Sequence, residues 1–396
     1  MEKALCQLCR QQDWLTFSTI SFGLWDKQSM QLSRQSSDYP LGRCQNCGHV
    51  QVNVVYTPEL FEQLYFHSTQ EAVMWHESLL GSELPYEEMM NFALNGEQPQ
   101  TIVDFGCGEG KLLAAAKAKS PGSCLIGIDF NNRFTQEDVT YLTLDLNQLS
   151  SLSNDHWPEG IDLALASHVL EHLIDPVSFL SHLKSRLSDN GAIFIEVPDF
   201  THHHDEKSIG MSNLVNLQHI HYYTIDTLTF AAKQASLAVV KQAQVTTGYI
   251  PRLQVLLKPE RVLSTAQVNS TYDAAAVIRH YQSGCRSLRS QLAQRVCSSL
   301  KENNRVGLWG LGADFYNLLN EHPLLGEFIT NGKLVLFDYA LKGKAFQHQS
   351  ILCSDEIPHF PHPVFIVPQL AETRIKMRAI SRYWSNVIDP FYNGSN

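Results

Sequence analysis

The stretch TIVDFGCGEG (residues 101–110) constrains this chain most strongly, because it has the pattern of a buried strand, a glycine turn and the start of a helix. Gly106, Gly108 and Gly110 let the backbone turn tightly and approach a ligand where a Cβ would collide. A second apolar strand, CLIGIDF, places Asp129 roughly 20 residues beyond the turn, where a carboxylate can bind both hydroxyls of a ribose. This order predicts a nucleotide-type cofactor site in an α/β domain.

Two cofactors fit this spacing, a dinucleotide and S-adenosylmethionine (SAM). The dinucleotide fingerprint is G-x-G-x-x-G, whereas the turn here is G-x-G-x-G and has the acidic Asp104 two residues before it. A carboxylate at this position suits the cationic methionyl group of SAM better than it suits a pyrophosphate. Asp104 therefore favours SAM.

The same segment resembles motif I of the class I SAM-dependent methyltransferases, and the resemblance continues in order along the chain. LTLDLNQL follows Asp129, IDLALASHVLEHLIDP corresponds to the fourth strand with its exit loop, and GAIFIEVPDF corresponds to the fifth strand. The resemblance implies SAM as the cofactor, with Asp129 on the ribose and Asp145 near the adenine edge. The expected cofactor-binding residues are Asp104, Gly106, Cys107, Gly108, Gly110, Asp129, Phe130, Asp145, Leu146 and Ser167.

Length and composition limit the class of protein. A chain of 396 residues is too long for one ordinary core, so two or three domains are expected. An apolar fraction of 44% and a charged fraction of 18% are typical of a soluble globular protein. The sequence contains no apolar run of membrane-spanning length and no signal-peptide pattern at its start, which predicts a cytoplasmic protein with no membrane partner. A formal net charge of −10 argues against a nucleic-acid partner.

Four of the nine cysteines form two C-x-x-C pairs, Cys6 with Cys9 and Cys44 with Cys47. Each pair can present two thiolates to one face of a tetrahedral ion, and two pairs complete a zinc site with no open position for water. A redox role is the alternative, but neither pair lies at the strand-to-helix junction of a thioredoxin-like pattern. The spacing predicts one structural zinc ion.

The sequence predicts an α/β chain with an N-terminal zinc-binding module, a central class I SAM methyltransferase Rossmann-like domain and a smaller C-terminal Rossmann-like domain. In the last domain, RVGLWGLGADFYNLLN repeats the strand, glycine turn and helix, and Asp338 ends another apolar strand. Asp314 at the helix start would repel a pyrophosphate, so the sequence fits a structural role of this domain at least as well as nucleotide binding. The preceding helix is expected to break near Ser283 and Gly284. The predicted regions are 1–56 (zinc-binding module), 57–96 (helical lead-in), 97–259 (SAM methyltransferase core), 260–302 (connecting helix) and 303–396 (C-terminal domain).

This three-part order resembles the C-methyltransferases that act on nucleotide-linked keto sugars in deoxysugar and surface polysaccharide pathways. The similarity includes ELFEQLYFHST, IEVPDF, LQHIHYYT, GYIPR, GLWGLGAD and FDYALKGKAF, and it covers almost the whole chain. It implies a nucleotide sugar as the small-molecule acceptor and carbon as the methylated atom. The Tyr-x-Glu-His pattern of that family, proposed to deprotonate or polarise the sugar, corresponds here to Asn216, Gln218 and His219, so only the histidine is retained.

Methyl transfer from a sulfonium requires an aligned acceptor and, for a hydroxyl or a carbon acid, removal of a proton. His219 is the first candidate for the base, because imidazole titrates near neutral pH and its segment follows the fifth strand. His168 and His172 lie on the loop after the fourth strand. The predicted catalytic residues are His219, His168 and Tyr222, and the predicted substrate-binding residues are Asn216, Gln218 and Arg252.

Three other functions fit parts of the sequence. An O- or N-methyltransferase becomes possible because the Tyr and Glu positions of the sugar family are lost. A catalytically idle SAM-fold binding protein is disfavoured by the intact Asp104, glycine turn and Asp129. A zinc-knuckle RNA methyltransferase is disfavoured by the acidic net charge. The histidines at 202–204 are expected in a solvated loop, because consecutive side chains diverge and cannot all reach one ion.

Overall fold

In this computed structural model, the described part of the chain contains three β-sheets. The described residues are 4–26, 31–57, 59–61, 64, 85–130, 138–151, 158, 160–201, 214–247, 250–260 and 271–392. Most of the predicted helical lead-in, at 65–84, and the histidines at 202–204 lie outside these residues.

The N-terminal sheet is built on a long antiparallel hairpin of β1 (Trp14–Asp26) and β2 (Gln31–Cys44). A short strand, β3 (Val50–Val52), pairs with the other side of β2. The first cysteine pair precedes β1, and the second pair lies at the turn between β2 and β3. The two C-x-x-C loops therefore lie at one end of the hairpin.

Seven strands form the central sheet, and strand order reverses between its two middle strands, β4 and β7. The strands are β4 (Thr101–Phe105), β5 (Cys124–Asp129), β6 (Thr140–Thr143), β7 (Ile161–Ser167), β8 (Leu187–Pro198), β10 (Leu237–Val245) and β11 (Arg252–Pro259). Their order is β10-β11-β8-β7-β4-β5-β6. Strands β4 to β8 are parallel, whereas β11 is antiparallel to both of its neighbours. A ligand crevice is expected outside the carboxyl ends of β4 and β7, because the chain leaves them toward opposite faces of the sheet.

Helices cover both faces of this sheet. The helices are α1 (Pro85–Leu94), α2 (Lys111–Lys119), α3 (Pro176–Arg186) and α4 (Ile225–Gln234). Phe194 of β8 packs with α1 and α2, whereas its neighbour Ile195 packs with α3 and α4. This alternation gives a three-layer α/β sandwich, because successive strand residues point to opposite faces. Short 3₁₀ helices at Leu146–Ser151 and Leu170–His172 follow β6 and β7.

One short strand joins the first two sheets. β9 (His221–Tyr222) follows the central β8 in sequence but pairs with β3 of the N-terminal sheet, with Val50 opposite Tyr222. The segment predicted to carry the catalytic histidine is therefore attached to the cysteine module.

The C-terminal region contains a parallel sheet in the order β13-β12-β16-β17. Its strands are β12 (Val306–Trp309), β13 (Leu334–Phe337), β16 (Val364–Ile366) and β17 (Val387–Ile388). Its helices are α6 (Ala313–Glu321), α7 (Pro323–Thr330) and α8 (Ala371–Ile380), with a 3₁₀ helix at Ser354–His359. A small hairpin of β14 (Ala345–Phe346) and β15 (Gln349–Ser350) extends the N-terminal sheet through β2.

The helix before β12, α5 (Ala274–Glu302), is continuous, so the predicted break near Ser283 and Gly284 is wrong. A glycine inside a helix costs about 1 kcal/mol relative to alanine. Tyr281 and Cys285, on either side of the glycine, are both buried. Their packing offsets this cost.

Candidate active site

The glycine turn after β4 lies against β5 and against the loop that leaves β7. The amides of Gly106 and Cys107 both donate to the Ile128 carbonyl, at 2.7 and 3.1 Å. Gly106 has a φ of 77°, in the left-handed region that disfavours side chains. A Cβ at this position would lie 2.4 Å from Cγ2 of Val169. Position 106 therefore requires glycine for its backbone conformation and for its close contact with the β7 loop.

Two buried carboxylates flank the turn. Oδ2 of Asp129 accepts a hydrogen bond from the Gly108 amide at 2.9 Å. Asp104 is 3% exposed, and burial together with the nearby Asp129 raises the pKa of Asp104 well above its ordinary value. A cationic ligand beside Asp104 would stabilise its charged form. The turn is thus adapted to a ligand that carries positive charge.

The other predicted cofactor residues lie at the carboxyl ends of neighbouring strands. Phe130 follows β5 and exposes 36% of its surface. Asp145 follows β6, and its Oδ1 accepts a hydrogen bond from the Asn147 amide at 2.9 Å, which shapes the loop. Leu146 begins the 3₁₀ helix after Asp145, and Ser167 is the last residue of β7. These positions line the edge of the sheet where the crevice is expected.

His168 lies between two buried carboxylates. Its Nδ1 is 3.3 Å from Oε1 of Glu171, and its Nε2 is 3.3 Å from Oε1 of Glu196. Burial by itself lowers the pKa of His168, but the two carboxylates outweigh burial and raise it to about 9. Its φ of 53° shows that the backbone is strained at this point. At neutral pH His168 is therefore a cation, and it does not suit the predicted role of a base.

His172 and His219 form an edge-to-face pair, with ring centroids 4.8 Å apart. Nδ1 of His219 is 2.8 Å from the Leu214 carbonyl, and Nδ1 of His172 is 2.9 Å from the Gln218 carbonyl. Because a carbonyl only accepts, each Nδ1 carries a proton, so Nε2 is the nitrogen that holds the lone pair in the neutral form of either ring. One ligand atom each from Glu171, His172 and His219 lie within 4.8 Å of one another.

His219 is neutral at physiological pH. Burial, followed by the neighbouring His172, lowers the pKa of His219 to about 4. A general base is most effective when its pKa lies near the working pH. His219 is therefore better suited to donate its lone pair to a ligand or hydrogen-bond donor than to remove a proton.

The remaining residues of the predicted catalytic segment form the turn that presents His219. Oδ1 of Asn216 accepts from the amides of Gln218 and His219, at 2.6 and 3.1 Å. The Gln218 side-chain amide donates to the Leu64 carbonyl at 3.0 Å, and the Tyr222 hydroxyl donates to the Asn216 carbonyl at 3.0 Å. Tyr222 is fully buried, and burial raises its pKa above the ordinary value. This placement favours a structural role for Tyr222 over the catalytic one that the sequence predicted.

Arg252 is 1% exposed. Its Nη1 donates to the carbonyls of Thr247 and Ile250, both at 3.1 Å, and its Nε is 3.6 Å from Oε2 of Glu196. The structure thus places Arg252 in a buried ion pair at the start of β11. This position favours a structural role over the predicted contact with a phosphate or a sugar oxygen of the substrate.

Comparison with known protein families identifies a domain in the central part of the chain. Residues 81–242 match the family model described as a methyltransferase domain. This chain contains a SAM-dependent methyltransferase domain. The match includes the glycine turn, Asp129 and the histidine cluster after β7. It confirms the methyltransferase domain predicted from the sequence.

Similar proteins match only part of the chain. A trans-aconitate 2-methyltransferase from Escherichia coli O1:K1 is 29% identical over 103 residues, which cover 26% of this chain and 41% of that protein. An uncharacterized 37.1 kDa protein in transposon TN4556 of Streptomyces fradiae is 29% identical over 122 residues, covering 29% of this chain and 35% of that protein. The chain thus spans about two fifths or less of these relatives.

The solved structure of a Burkholderia thailandensis 1,6-didemethyltoxoflavin-N1-methyltransferase resembles this chain with a TM-score of 0.40 at 15% identity. The similarity covers 54% of this chain and 96% of that one. Among the described residues, no helix is both long and apolar enough to cross a membrane.

The four cysteines outside the methyltransferase domain converge as the sequence predicted. Cys6 Sγ and Cys47 Sγ are 3.6 Å apart, and Cys9 Sγ and Cys44 Sγ are 3.5 Å apart. All four sulfurs lie within 4.8 Å of one another. Thiolates bound tetrahedrally at about 2.3 Å from zinc would be about 3.8 Å apart. The cluster therefore fits a closed four-cysteine zinc site.

Two buried histidines connect this cluster to the methyltransferase domain. His49, which follows the second cysteine pair, places Nε2 3.0 Å from Nδ1 of His221, and the two rings stack at 5.2 Å. Nε2 of His221 in turn donates to the Leu173 carbonyl at 2.9 Å. The cysteine module therefore holds the strand immediately after His219.

Sequence reasoning did not identify Glu171 and Glu196 as site residues. Both carboxylates are buried, at 1% and 0% exposure, and both face His168. A carboxylate inside the otherwise apolar run AIFIEVP was a signal for Glu196, because buried carboxylates require a partner. Glu171 meets His168 across the loop after β7, and Glu196 meets side chains from other strands. Such contacts cannot be read from the order of residues in the sequence.

Proposed function

We propose that this protein transfers the methyl group of SAM to a small-molecule acceptor bound beside the histidine cluster. Asp104, the glycine turn and Asp129 would hold the cofactor. One observation carries the proposal: Val169, which adjoins His168, lies directly against Gly106 of the cofactor turn. The loop that carries Glu171 and His172 therefore begins at the wall of the cofactor site.

The proposed acceptor is a sugar, and specifically a nucleotide-activated keto sugar of deoxysugar or polysaccharide biosynthesis. The resemblance of the three-part order to the sugar C-methyltransferases supports this choice, as do the motifs spread over the whole chain. The pairing of β9 with β3 also supports it, because the cysteine module then has a direct role in holding the acceptor side of the site. In this proposal the four cysteines bind a structural zinc ion, and the enzyme acts in the cytoplasm.

Oxygen is the second candidate for the methylated atom. Carbon methylation beside a keto group requires removal of a proton from a weak carbon acid. His168 is charged and the pKa of His219 is about 4, so neither imidazole is matched to that task at neutral pH. Asn216 and Gln218 stand where the sugar family has Tyr and Glu. The Asn216 side chain accepts a hydrogen bond from the Gln218 amide of its own loop, whereas the Gln218 side chain donates to the Leu64 carbonyl, which is distant along the chain. We therefore assign His219 the role of orienting the acceptor.

The C-terminal parallel sheet has a structural role in this proposal. Oδ2 of Asp338 accepts from the Leu311 amide at 2.8 Å, and its Oδ1 accepts from the Ala340 amide at 2.9 Å. Asp314 is buried, and its Oδ2 accepts from the Gln369 amide at 2.9 Å. Asp314 lies at the start of α6, where its carboxylate would repel a pyrophosphate, and the first domain has no acidic residue in the first turn of the corresponding helix α2.

The test is incubation of the purified protein with SAM and a panel of nucleotide sugars, followed by mass spectrometry. We expect one sugar to gain a single methyl group and SAM to become S-adenosylhomocysteine. Fragmentation of the product would identify carbon or oxygen as the methylated atom. A protein that binds SAM but methylates no sugar, while methylating another small metabolite, would contradict the sugar assignment.

A single substitution separates an active enzyme from an idle scaffold. His219→Ala should leave SAM binding unchanged and reduce methyl transfer about a hundredfold, because a misplaced acceptor can slow a reaction by about that factor. Calorimetry and turnover on the identified substrate would measure the two effects. Full turnover by the variant would show that His219 does not orient the acceptor.

A further inference from the structure

The cluster of Glu171, His172 and His219 has the composition of a metal site. It offers two imidazoles and one carboxylate, with one ligand atom of each within 4.8 Å of the others. Oε1 of Glu171 is 3.7 Å from Nε2 of His172. The cluster is separate from the four cysteines. The 3₁₀ helix after β7 supplies the first two residues, and the turn before β9 supplies the third.

Both imidazoles are oriented as metal ligands usually are. Histidine ligands almost always donate the second ring N–H to a carbonyl or carboxylate, which fixes the tautomer and aims the other nitrogen. His172 does so to the Gln218 carbonyl at 2.9 Å, and His219 does so to the Leu214 carbonyl at 2.8 Å. Two histidines on separate elements thus present the same nitrogen, Nε2, as a lone-pair donor.

The carboxylate has the property expected of a third ligand. Glu171 is 1% exposed, and among the described residues neither Oε1 nor Oε2 receives a hydrogen bond. His168 faces Oε1 at 3.3 Å as an ion pair and is held on its other side by Glu196. Oε2 therefore remains for another ligand. A buried carboxylate oxygen without a hydrogen bond is costly unless a cation is bound to it.

We infer that Glu171, His172 and His219 bind a divalent first-row transition-metal cation, which positions an oxygen of the methyl acceptor. Two imidazoles and one carboxylate favour zinc, manganese, iron or nickel over magnesium and calcium, which prefer all-oxygen sites. Three protein ligands leave open coordination positions, in contrast to the closed four-cysteine cluster. The role toward the acceptor rests on the proposed function, whereas binding of the cation does not.

The charges around the cluster indicate which acceptors it would take. Of the three proposed ligands only Glu171 is a carboxylate, which supplies one negative charge, whereas a divalent cation carries two positive charges. The bound cation would therefore keep excess positive charge. An acceptor that presents an ionised oxygen or a phosphate would neutralise it. A nucleotide-linked sugar has both a diphosphate and oxygen donors, so it fits this requirement.

Manganese is the best probe, because thiolate sites such as the cysteine cluster do not favour it. The 396-residue protein, without SAM, is titrated with Mn²⁺, and the signal of free Mn²⁺ is followed by electron paramagnetic resonance. We expect one bound equivalent and, in pulsed spectra, coupling to imidazole nitrogen. Zinc bound to the cysteines is counted in parallel by elemental analysis. If the parent protein binds no Mn²⁺, or binds Mn²⁺ without nitrogen coupling, the inference is refuted before any variant is made.

Variants then assign the ligands. His219→Gln and Glu171→Gln should each weaken Mn²⁺ binding at least tenfold while zinc at the cysteines stays unchanged. The matched control is His182→Gln, because Nδ1 of His182 also lies 2.7 Å from a carbonyl, that of Ser178, but His182 is outside the cluster. SAM binding confirms that each variant is folded. If a folded His219→Gln variant binds Mn²⁺ as tightly as the parent, the site is not the one inferred. None of these measurements depends on turnover, so they remain valid if the proposed sugar acceptor is wrong.

Discussion

Replacing Asp129 by alanine removes the carboxylate that we assign to the ribose of SAM. Asp129 ends β5, is 7% exposed and accepts the Gly108 amide through Oδ2 at 2.9 Å. The side chain therefore has two functions, which are to bind the cofactor and to hold the glycine turn. Alanine removes both.

The size of the effect follows from the two ribose hydrogen bonds. A hydrogen bond to a charged group contributes about 1.5–3 kcal/mol, so two contribute about 3 kcal/mol at the low end of that range. At about 1.4 kcal/mol per tenfold change, this corresponds to roughly a hundredfold loss of affinity. Water entering the vacated space recovers part of the loss, so we expect SAM affinity to fall by at least about tenfold. Asp129→Asn keeps an acceptor for the Gly108 amide and should lose less than alanine.

Isothermal calorimetry with SAM and with S-adenosylhomocysteine measures the loss directly. Asp138→Asn is the control, because Asp138 is 82% exposed, pairs only at the surface with Lys117 at 3.3 Å and should not affect affinity. Equal SAM affinity in the parent and in Asp129→Ala would refute the assignment of Asp129 to the ribose. Absence of SAM binding to the parent would refute the whole cofactor site.

Three further predictions concern the same two modules. Asp104→Asn should raise the melting temperature of the cofactor-free protein at neutral pH yet weaken SAM binding. Because the pKa of Asp104 is raised in the folded state, its neutral form stabilises the fold at low pH, and this stabilisation is lost as pH rises through that pKa. Calorimetry in buffers of different ionisation enthalpy should show proton release on SAM binding to the parent but not to this variant. Gly106→Ala should abolish most SAM binding because its Cβ would lie 2.4 Å from Val169. Gly122→Ala should bind normally, because its Cβ would meet no described atom within 4 Å apart from its chain neighbours. Cys44→Ser should lower zinc content below one per chain and increase protease sensitivity of the N-terminal module without loss of SAM binding, and a full zinc content by elemental analysis would contradict the four-cysteine site.

Much of the cofactor site could be predicted from the sequence, because it is local. The glycine turn, Asp104 and Asp129 belong to one strand-turn-helix-strand unit, and their spacing alone determines how they meet at the edge of a parallel sheet. The four cysteines are a similar case, since each C-x-x-C loop brings two sulfurs together by itself. Only the meeting of the two loops required tertiary structure.

The acceptor side could be predicted only in part. The sequence indicated His168 and His219 as candidates for a base, but their protonation depends on partners that are distant along the chain. Glu196, from β8, makes His168 a cation, whereas burial keeps His219 neutral. Arg252 was predicted to bind the substrate and instead lies in a buried ion pair, because β11 is inserted beside β8.

By itself, the sequence determined the class of cofactor, the methyltransferase domain and the existence of a four-cysteine cluster, because each depends on residues a few positions apart. Tertiary structure alone decided which histidine is charged, which carboxylates face the histidines and how the cysteine module supports the site. The pairing of β3 with β9 joins residues 50–51 to residues 221–222, and no periodicity in the sequence records such a contact. Electrostatic character follows burial and neighbours in space, and both arise only when distant segments pack together.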